Sequence, residues 1–223
     1  MRPDRHAVWD LPVRVFHWSL VVLVLLQWGT AEWGWLSMQW HARFGYATLA
    51  LVLFRIAWGF VGSESARFED FVRGPRAVWR YVASTFGPSP QRFAGHNPLG
   101  GWSVVALLGC LLVQAITGLF AYDDIDAQGP LSVLVSDGVA KAFTEVHEVN
   151  KYVLLALVGL HVLAVTFHEA FMRDPLVAAM FTGEKRLDGD PGVRFASAWR
   201  AVFLFALSAA IVWAIVELAP KLL

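Results

Sequence analysis

The sequence predicts an all-α integral membrane protein with five spanning helices, and three observations carry that prediction. Of 223 residues, 57% are hydrophobic and only 16% charged, against roughly 25% charged in an ordinary soluble domain. Five apolar segments reach the ~20 residues that a helix needs to cross ~30 Å of hydrocarbon at ~1.5 Å rise per residue. Basic residues collect in alternate connections, as they do in chains threaded through a bilayer. Lipid offers no partner to backbone N–H and C=O groups, and these runs are too long for strands. Each therefore closes its own hydrogen bonds as a helix.

The first span covers about residues 11–36 and contains Val15–Leu26, interrupted only by His17, Trp18 and Ser19. It is longer than a signal-peptide core and has no small-x-small cleavage site ahead of Glu32, so it reads as retained. The others cover about 41–60, 101–122, 147–171 and 198–218. Between the second and third, Gly74–Phe86 opens with a proline and spaces Val, Trp and Tyr among arginines. This suits an amphipathic helix lying in the interface, and a plain polar loop helix equally. The connection between the third and fourth is acidic, with Asp123, Asp124, Asp126, Asp137 and Glu145 against Lys141. Trp28, Trp33, Trp35 and Trp40 read as an aromatic belt. No internal repeat or low-complexity stretch stands out. Residues 1–185 are expected to form one transmembrane domain, and 186–223 a linker and the fifth helix.

Arg2, Arg5 and Arg14 lie in or beside the N-terminal tail. Arg67, Arg73, Arg76, Arg80 and Arg92 lie in the second-to-third connection, and Arg173, Lys185, Arg186 and Arg194 in the fourth-to-fifth. The opposite side holds only Arg43, Lys141, Lys151 and Lys221. The N-terminus is expected in the cytoplasm and the C-terminus outside. Eighteen basic residues balance eighteen acidic ones, which leaves no excess to neutralise phosphates and argues against a nucleic-acid partner. The lone cysteine, Cys110, excludes a disulfide framework and a covalently attached c-type haem. It reads as inert packing.

Ionisable side chains at membrane depth are costly and point to function. Seven histidines occur, and five of them (His17, His41, His147, His161 and His168) lie in or at the ends of spans. His147 and His161 are fourteen residues apart, about 21 Å of rise with the azimuth returning to within ~40°. Two ligands so far apart cannot share one metal ion. Two haems at two depths can each take one imidazole from this helix. The matching partners by depth are His41 for His147, and His17 for His161. Arg55 falls fourteen residues after His41 on nearly the same face, where a haem propionate would neutralise it. Arg14, one turn before His17, is a second propionate candidate.

Gly45 and Gly159 are small enough for a flat macrocycle to approach the helix, although helix–helix packing uses glycine as readily. His168 is a candidate for a quinone site, with replacement of His161 as ligand and simple snorkelling to the interface as the other readings. His96 reads as a loop residue, Glu169 and Asp174 as solvated. Gln114 and Thr117 read as makers of interhelical bonds.

Several stretches resemble the prokaryotic cytochrome b561 family and the related b-type cytochrome subunits of nickel–iron hydrogenases. They are Val8-Trp-Asp-Leu-Pro-Val-Arg-Val-Phe-His17-Trp18, Trp40-His41-Ala-Arg-Phe-Gly45, Phe54-Arg55-Ile-Ala-Trp-Gly59 and Gly95-His-Asn-Pro-Leu-Gly-Gly101. Glu145-Val-His147-Glu148, Gly159-Leu-His161 and His168 complete the set. The resemblance implies a four-helix transmembrane bundle binding two non-covalent b haems, with His17, His41, His147 and His161 as axial ligands and a location in the bacterial inner membrane. It implies electron transfer between quinone and a redox protein outside, such as a soluble cytochrome c or a dehydrogenase or hydrogenase subunit. The fifth helix departs from the shortest family members. Its Ala206, Ser208, Ala209, Ala210 and Ala214 suit close packing, against the core or a partner.

Two further readings stay open at this point. A superoxide:quinone oxidoreductase would focus positive potential at the outer haem, where Arg43 and Lys151 favour it and the acidic connection opposes it. A haem-free proton or ion pathway would use the same spaced histidines. Whether the chain forms a homo-oligomer is open as well.

Overall fold

The computed structural model describes residues 4–85, 87, 91, 93–122 and 128–222. Of the expectations above, those on Arg2, Arg92, Phe86, Asp123, Asp124 and Asp126 lie outside these. Among the described residues, five helices are long and apolar enough to cross a membrane. They are α1 (Leu11–Trp33), α2 (Met38–Val61), α5 (Pro98–Phe120), α6 (Asp137–Phe167) and α8 (Ala198–Glu217). Shorter elements fill the connections: β1 (Asp4–Ala7), α3 (Phe68–Phe71), α4 (Pro75–Thr85), α7 (Leu176–Thr182) and β2 (Glu184–Leu187). Helix bounds agree with expectation within three residues except at α6. That helix starts ten residues before 147, because residues 137–146 are helical without being apolar. There Phe143 stacks on Phe120 at 4.7 Å and the Thr144 hydroxyl donates to the Tyr122 carbonyl at 3.0 Å.

Contacts group the chain into two units, each described by itself. The first holds residues up to Val15, Ile56–Leu107 and Leu157–Ala201. In it β1 pairs antiparallel with β2, Asp4 opposite Leu187 and Ala7 opposite Glu184. Gly183, left-handed at φ 87°, ends α7 and turns its carbonyl to the amides of Val8 and Trp9. A Cβ there would stand 2.9 Å from the Trp9 carbonyl oxygen, so only glycine fits without strain. Asp10 caps α1 by accepting from the Val13 amide at 2.9 Å, and its other oxygen accepts from the fully buried Trp58 indole at 2.9 Å. The expected helix after Gly74 forms as α4, with Tyr81 buried.

The second unit holds Phe16–Arg55, Leu108–Ala156 and Val202–Leu223. Its core gathers Leu49 and Ala50 of α2, Leu119 of α5, Leu131 and Val212 of α8, flanked by Tyr46, Leu112 and Ala209. The fifth helix thus packs into this core. Ser208 is buried and Ala209 and Ala214 are half-buried, whereas Ala206 and Ala210 point outward. Ser208, Ala209 and Ala214 thus face the core, while Ala206 and Ala210 lie on the other side of a helix that can turn only one stripe inward.

Candidate functional site

Within the second unit, α2 carries His41 and α6 carries His147, and their imidazole centroids lie 6.3 Å apart at an interplanar angle of 76°. Each ring is held from a neighbouring helix. His41 Nδ1 donates to the Gln27 carbonyl at 3.0 Å, with the Thr30 hydroxyl oxygen at 3.2 Å. His147 Nδ1 donates to the Gln114 carbonyl at 3.0 Å, with the Thr117 hydroxyl oxygen at 3.1 Å. The two threonines also bond back to carbonyls of their own helices, Thr30 to Leu26 and Gln27, Thr117 to Val113 and Gln114. That fixes their χ1, and both are buried. The same short motif, Gln-x-x-Thr, therefore cradles both rings: residues 27–30 on α1 and 114–117 on α5.

The cradles fix the chemistry of the rings. A carbonyl can only accept, so each imidazole carries its proton on Nδ1 and keeps the Nε2 lone pair for a ligand. Metal-binding histidines almost always donate their second ring N–H in this way. Two metal–imidazole bonds of ~2 Å, plus the step from ring centre to Nε2 at both ends, sum to about 6 Å. The observed 6.3 Å matches an iron held between the two rings. Among the described residues, no group of three or more His, Cys, Asp or Glu could hold a metal ion. A two-imidazole set therefore suits a metal that brings its own equatorial donors, as a porphyrin does. These residues fit a haem.

One turn beyond the rings the surroundings diverge. Gly45 follows His41 by four residues, and a Cβ there would touch only Gln27 Oε1 at 3.6 Å. Lys151 follows His147 by four and is clasped by Glu32 at 2.8 Å and Glu148 at 2.7 Å. The positive potential expected from Lys151 is thereby cancelled locally, and Arg43 lies over the Trp40 ring at 4.8 Å. Gln114 and Thr117 make interhelical bonds as expected, and their bond to His147 gives them a direct part in the site. Asn150 donates to Gln114 Oε1 at 2.7 Å and to the Cys110 carbonyl at 3.0 Å, while Cys110 Sγ donates to Asn150 Oδ1 at 3.3 Å. Cys110 is thus a hydrogen-bonding partner rather than inert filler. Gln27, Thr30 and Asn150 escaped the sequence reading. The repeated Gln-x-x-Thr was the signal that could have found the first two.

The other candidates fall as follows. His17, in the second unit, sets its ring edge-on to Trp18 at 4.9 Å. Arg55, in the same unit, is 2% exposed. His161 and Gly159 belong to the first unit, half-buried and exposed, with open space where a Cβ on Gly159 would stand. Arg14, also in the first unit, donates to the Phe181 carbonyl and lies against Gly183.

His168 opens a π-helical turn, His168–Met172, that extends α6. Its Nδ1 donates to the Ala164 carbonyl at 2.8 Å, and its Nε2 accepts from the Tyr81 hydroxyl at 2.7 Å, with Asn97 Nδ2 at 3.4 Å. Burial pushes the Tyr81 phenol above its ordinary range and so keeps it a donor. Both ring nitrogens of the half-buried His168 are thus engaged within the protein. His96 is correspondingly a packed ring between Trp9 and Phe71, at 4.6 and 4.5 Å. Glu169 and Asp174 keep partial exposure and also find protein partners: Glu169 accepts from the Val177 amide at 2.7 Å, and Asp174 pairs at 2.8 Å with the buried Lys185.

The profile of the family described as prokaryotic cytochrome b561 matches residues 8–183. Similar curated proteins include three named as a probable Ni/Fe-hydrogenase B-type cytochrome subunit. The one from Rhizobium leguminosarum bv. viciae is 23% identical, covering 80% of this chain and 87% of its own. That from Azotobacter chroococcum mcd 1 is 24% identical, covering 82% and 89%. That from Rhodobacter capsulatus is 21% identical, covering 82% of each. No solved structure matches the chain significantly.

Proposed function

The chain belongs to the prokaryotic cytochrome b561 family, and from that premise we propose that it is a di-haem b-type cytochrome passing electrons between the quinone pool and a redox protein outside the inner membrane. Membership makes it a multi-pass b-type membrane cytochrome whose work is electron transfer. The number of haems, the quinone and the outside partner are the proposal's own.

The observation that carries it is the pair of cradled rings, His41 and His147, with both Nδ1 protons spent on glutamine carbonyls. These residues would hold one haem b, which would supply one-electron transfer. Donation from Nδ1 to two acceptors raises the basicity of each Nε2 and fixes the plane of each ring. Thr30, Thr48 and Thr117, all buried, close the polar groups of the site on one another and leave few for water.

For the second haem the sequence spacing alone supports His17 and His161, with Arg55 and Arg14 as propionate candidates. Arg14 also donates to the Phe181 carbonyl. His168, hydrogen-bonded to Tyr81, is a group of the right kind to exchange a proton with a quinone.

The relatives' names favour a nickel–iron hydrogenase subunit as the redox partner. A superoxide-consuming enzyme would need uncompensated positive charge beside His41 and His147; Lys151 there stands between two carboxylates, which leaves Arg43, over the Trp40 ring, as its support. A pyridine haemochrome assay on the purified chain, joined to a reductive titration, tests the reading. Two b haems per chain reduced in one-electron steps are expected. One haem would remove the His17/His161 assignment, and a colourless protein would leave the proton or ion pathway standing.

A further inference from the structure

α4 sits at the end of a spanning helix and turns a basic, aromatic face away from the protein. Its depth is set by α5: the Trp102 indole, near the start of that span, donates at 2.8 Å to the Arg73 carbonyl just ahead of α4. Gly101 lets the two segments touch, since a Cβ there would stand 2.6 Å from the Phe71 carbonyl oxygen. α4 is anchored on its inner face by Tyr81, 3% exposed and bonded to His168. The rotation of the helix is therefore fixed.

That rotation presents Arg76, Trp79 and Arg80 outward on one face, at spacings of three and four residues. Trp79 is 74% exposed. Together with Pro75 the three line a shallow open depression. Several other basic groups of the same unit are engaged: Arg67 with Glu64, Glu69 and Asp70, Arg73 with the Asp70 carbonyl, Arg194 with Glu64, and Lys185 with Asp174. Among the described residues, neither Arg76 nor Arg80 has an acidic or hydrogen-bonding partner.

We propose that Arg76, Trp79 and Arg80 form a binding site for the phosphodiester headgroup of an anionic phospholipid. Two guanidiniums flanking an indole, at the level where a span leaves the hydrocarbon, match that ligand in charge, depth and amphipathic character. Guanidinium forks bind phosphate oxygens by paired N–H donors. Trp is favoured at headgroup level, where its body meets acyl chains and its N–H meets water and phosphate. A soluble anion would use the arginines and gain nothing from the exposed indole.

The test reconstitutes the full chain, with its haem, in nanodiscs of phosphatidylcholine alone or mixed with phosphatidylglycerol. Retained lipid is counted by native mass spectrometry, and amide exchange is followed across α4. The wild type is expected to retain phosphatidylglycerol and to show slower exchange in α4 only when that lipid is present. Each arginine near an anionic surface contributes about fivefold in affinity, so Arg76→Gln/Arg80→Gln loses about 25-fold. Its haem spectrum should be unchanged, because α4's inner face is untouched. Arg43→Gln, at another exposed arginine beside a tryptophan, on α2, is expected to leave retention as it was. Equal α4 protection in both lipids, retention that survives the double substitution, or an equal loss from Arg43→Gln would each overturn the site.

Discussion

His41 is held from α1 by the Gln27 carbonyl and the Thr30 hydroxyl, and His147 from α5 by the Gln114 carbonyl and the Thr117 hydroxyl, at distances that agree within 0.1 Å. Around these shared contacts the two cradles differ. The Gln27 side chain reaches Thr48 of α2 at 3.0 Å, whereas the Gln114 side chain accepts from Asn150 of α6, itself tied to Cys110. Uncharged Gly45 lies one turn past His41. A lysine between two carboxylates lies one turn past His147. The common part is what touches Nδ1 and sets the electronic state of the ring. The variable part is how each pair of helices is fastened, a task that many side chains can perform.

The largest effect should come from removing a ring. His41→Ala and His147→Ala are each expected to abolish one haem, read as equal losses of pyridine haemochrome per chain and of the same step in a redox titration. If one variant kept both haems, the two rings would not share an iron. Neither substitution touches His17 or His161, so the second haem should survive in both.

A smaller and more pointed contrast lies in the glycines. A Cβ on Gly118 would stand 3.1 Å from His147 Cε1, tighter than ordinary contact, so the ring must shift by a few tenths of an ångström. Gly118→Ala is therefore expected to weaken haem retention by the ~10-fold that a displaced supporting contact costs. On protein contacts alone Gly45→Ala should be silent, since its Cβ meets one atom at ordinary distance. With a macrocycle lying against α2 at Gly45, it should lower haem content as well. Retention measured by haem transfer to an acceptor protein separates the two outcomes, and an intact Gly45→Ala variant would remove that residue from the site.

Much of this arrangement could be read before any coordinates, for a physical reason. Lipid forces each span to be a long apolar run, and it makes an ionisable ring at depth conspicuous. The five helices and the histidines on them are accordingly legible from residue types. The Gln-x-x-Thr cradles are not, because Gln and Thr are common interhelical polar residues and the decisive acceptor is a backbone carbonyl, which every residue has. Only the placement of α1 against α2 and of α5 against α6 shows which carbonyl faces a ring. The pairing of β1 with β2 was hidden for another reason. Four-residue polar strands some 180 positions apart carry no periodic signal, and the Gly183 carbonyl that extends their contact to Val8 and Trp9 is again backbone. The first ten residues of α6 escaped because they are helical without being lipid-compatible, and apolar run length cannot detect such a segment.

The smallest expected effect tests whether the cradles are equivalent in action. Thr30→Val and Thr117→Val each keep the shape of a buried side chain and the carbonyl acceptor, and remove one oxygen from the Nδ1 proton. With less hydrogen bonding at Nδ1 the imidazole donates less charge through Nε2, so the ferric state loses stabilisation and the potential rises. A neutral hydrogen bond contributes about 1 kcal/mol, which is at most about 40 mV for a one-electron couple. Because the carbonyls remain, haem content should stay at the wild-type level. Both variants should shift the same one of the two titration steps, in the same direction and by similar amounts, and the double variant should add the two shifts. Shifts in different steps would place Thr30 and Thr117 beside different irons, and the pairing of His41 with His147 would fall with them.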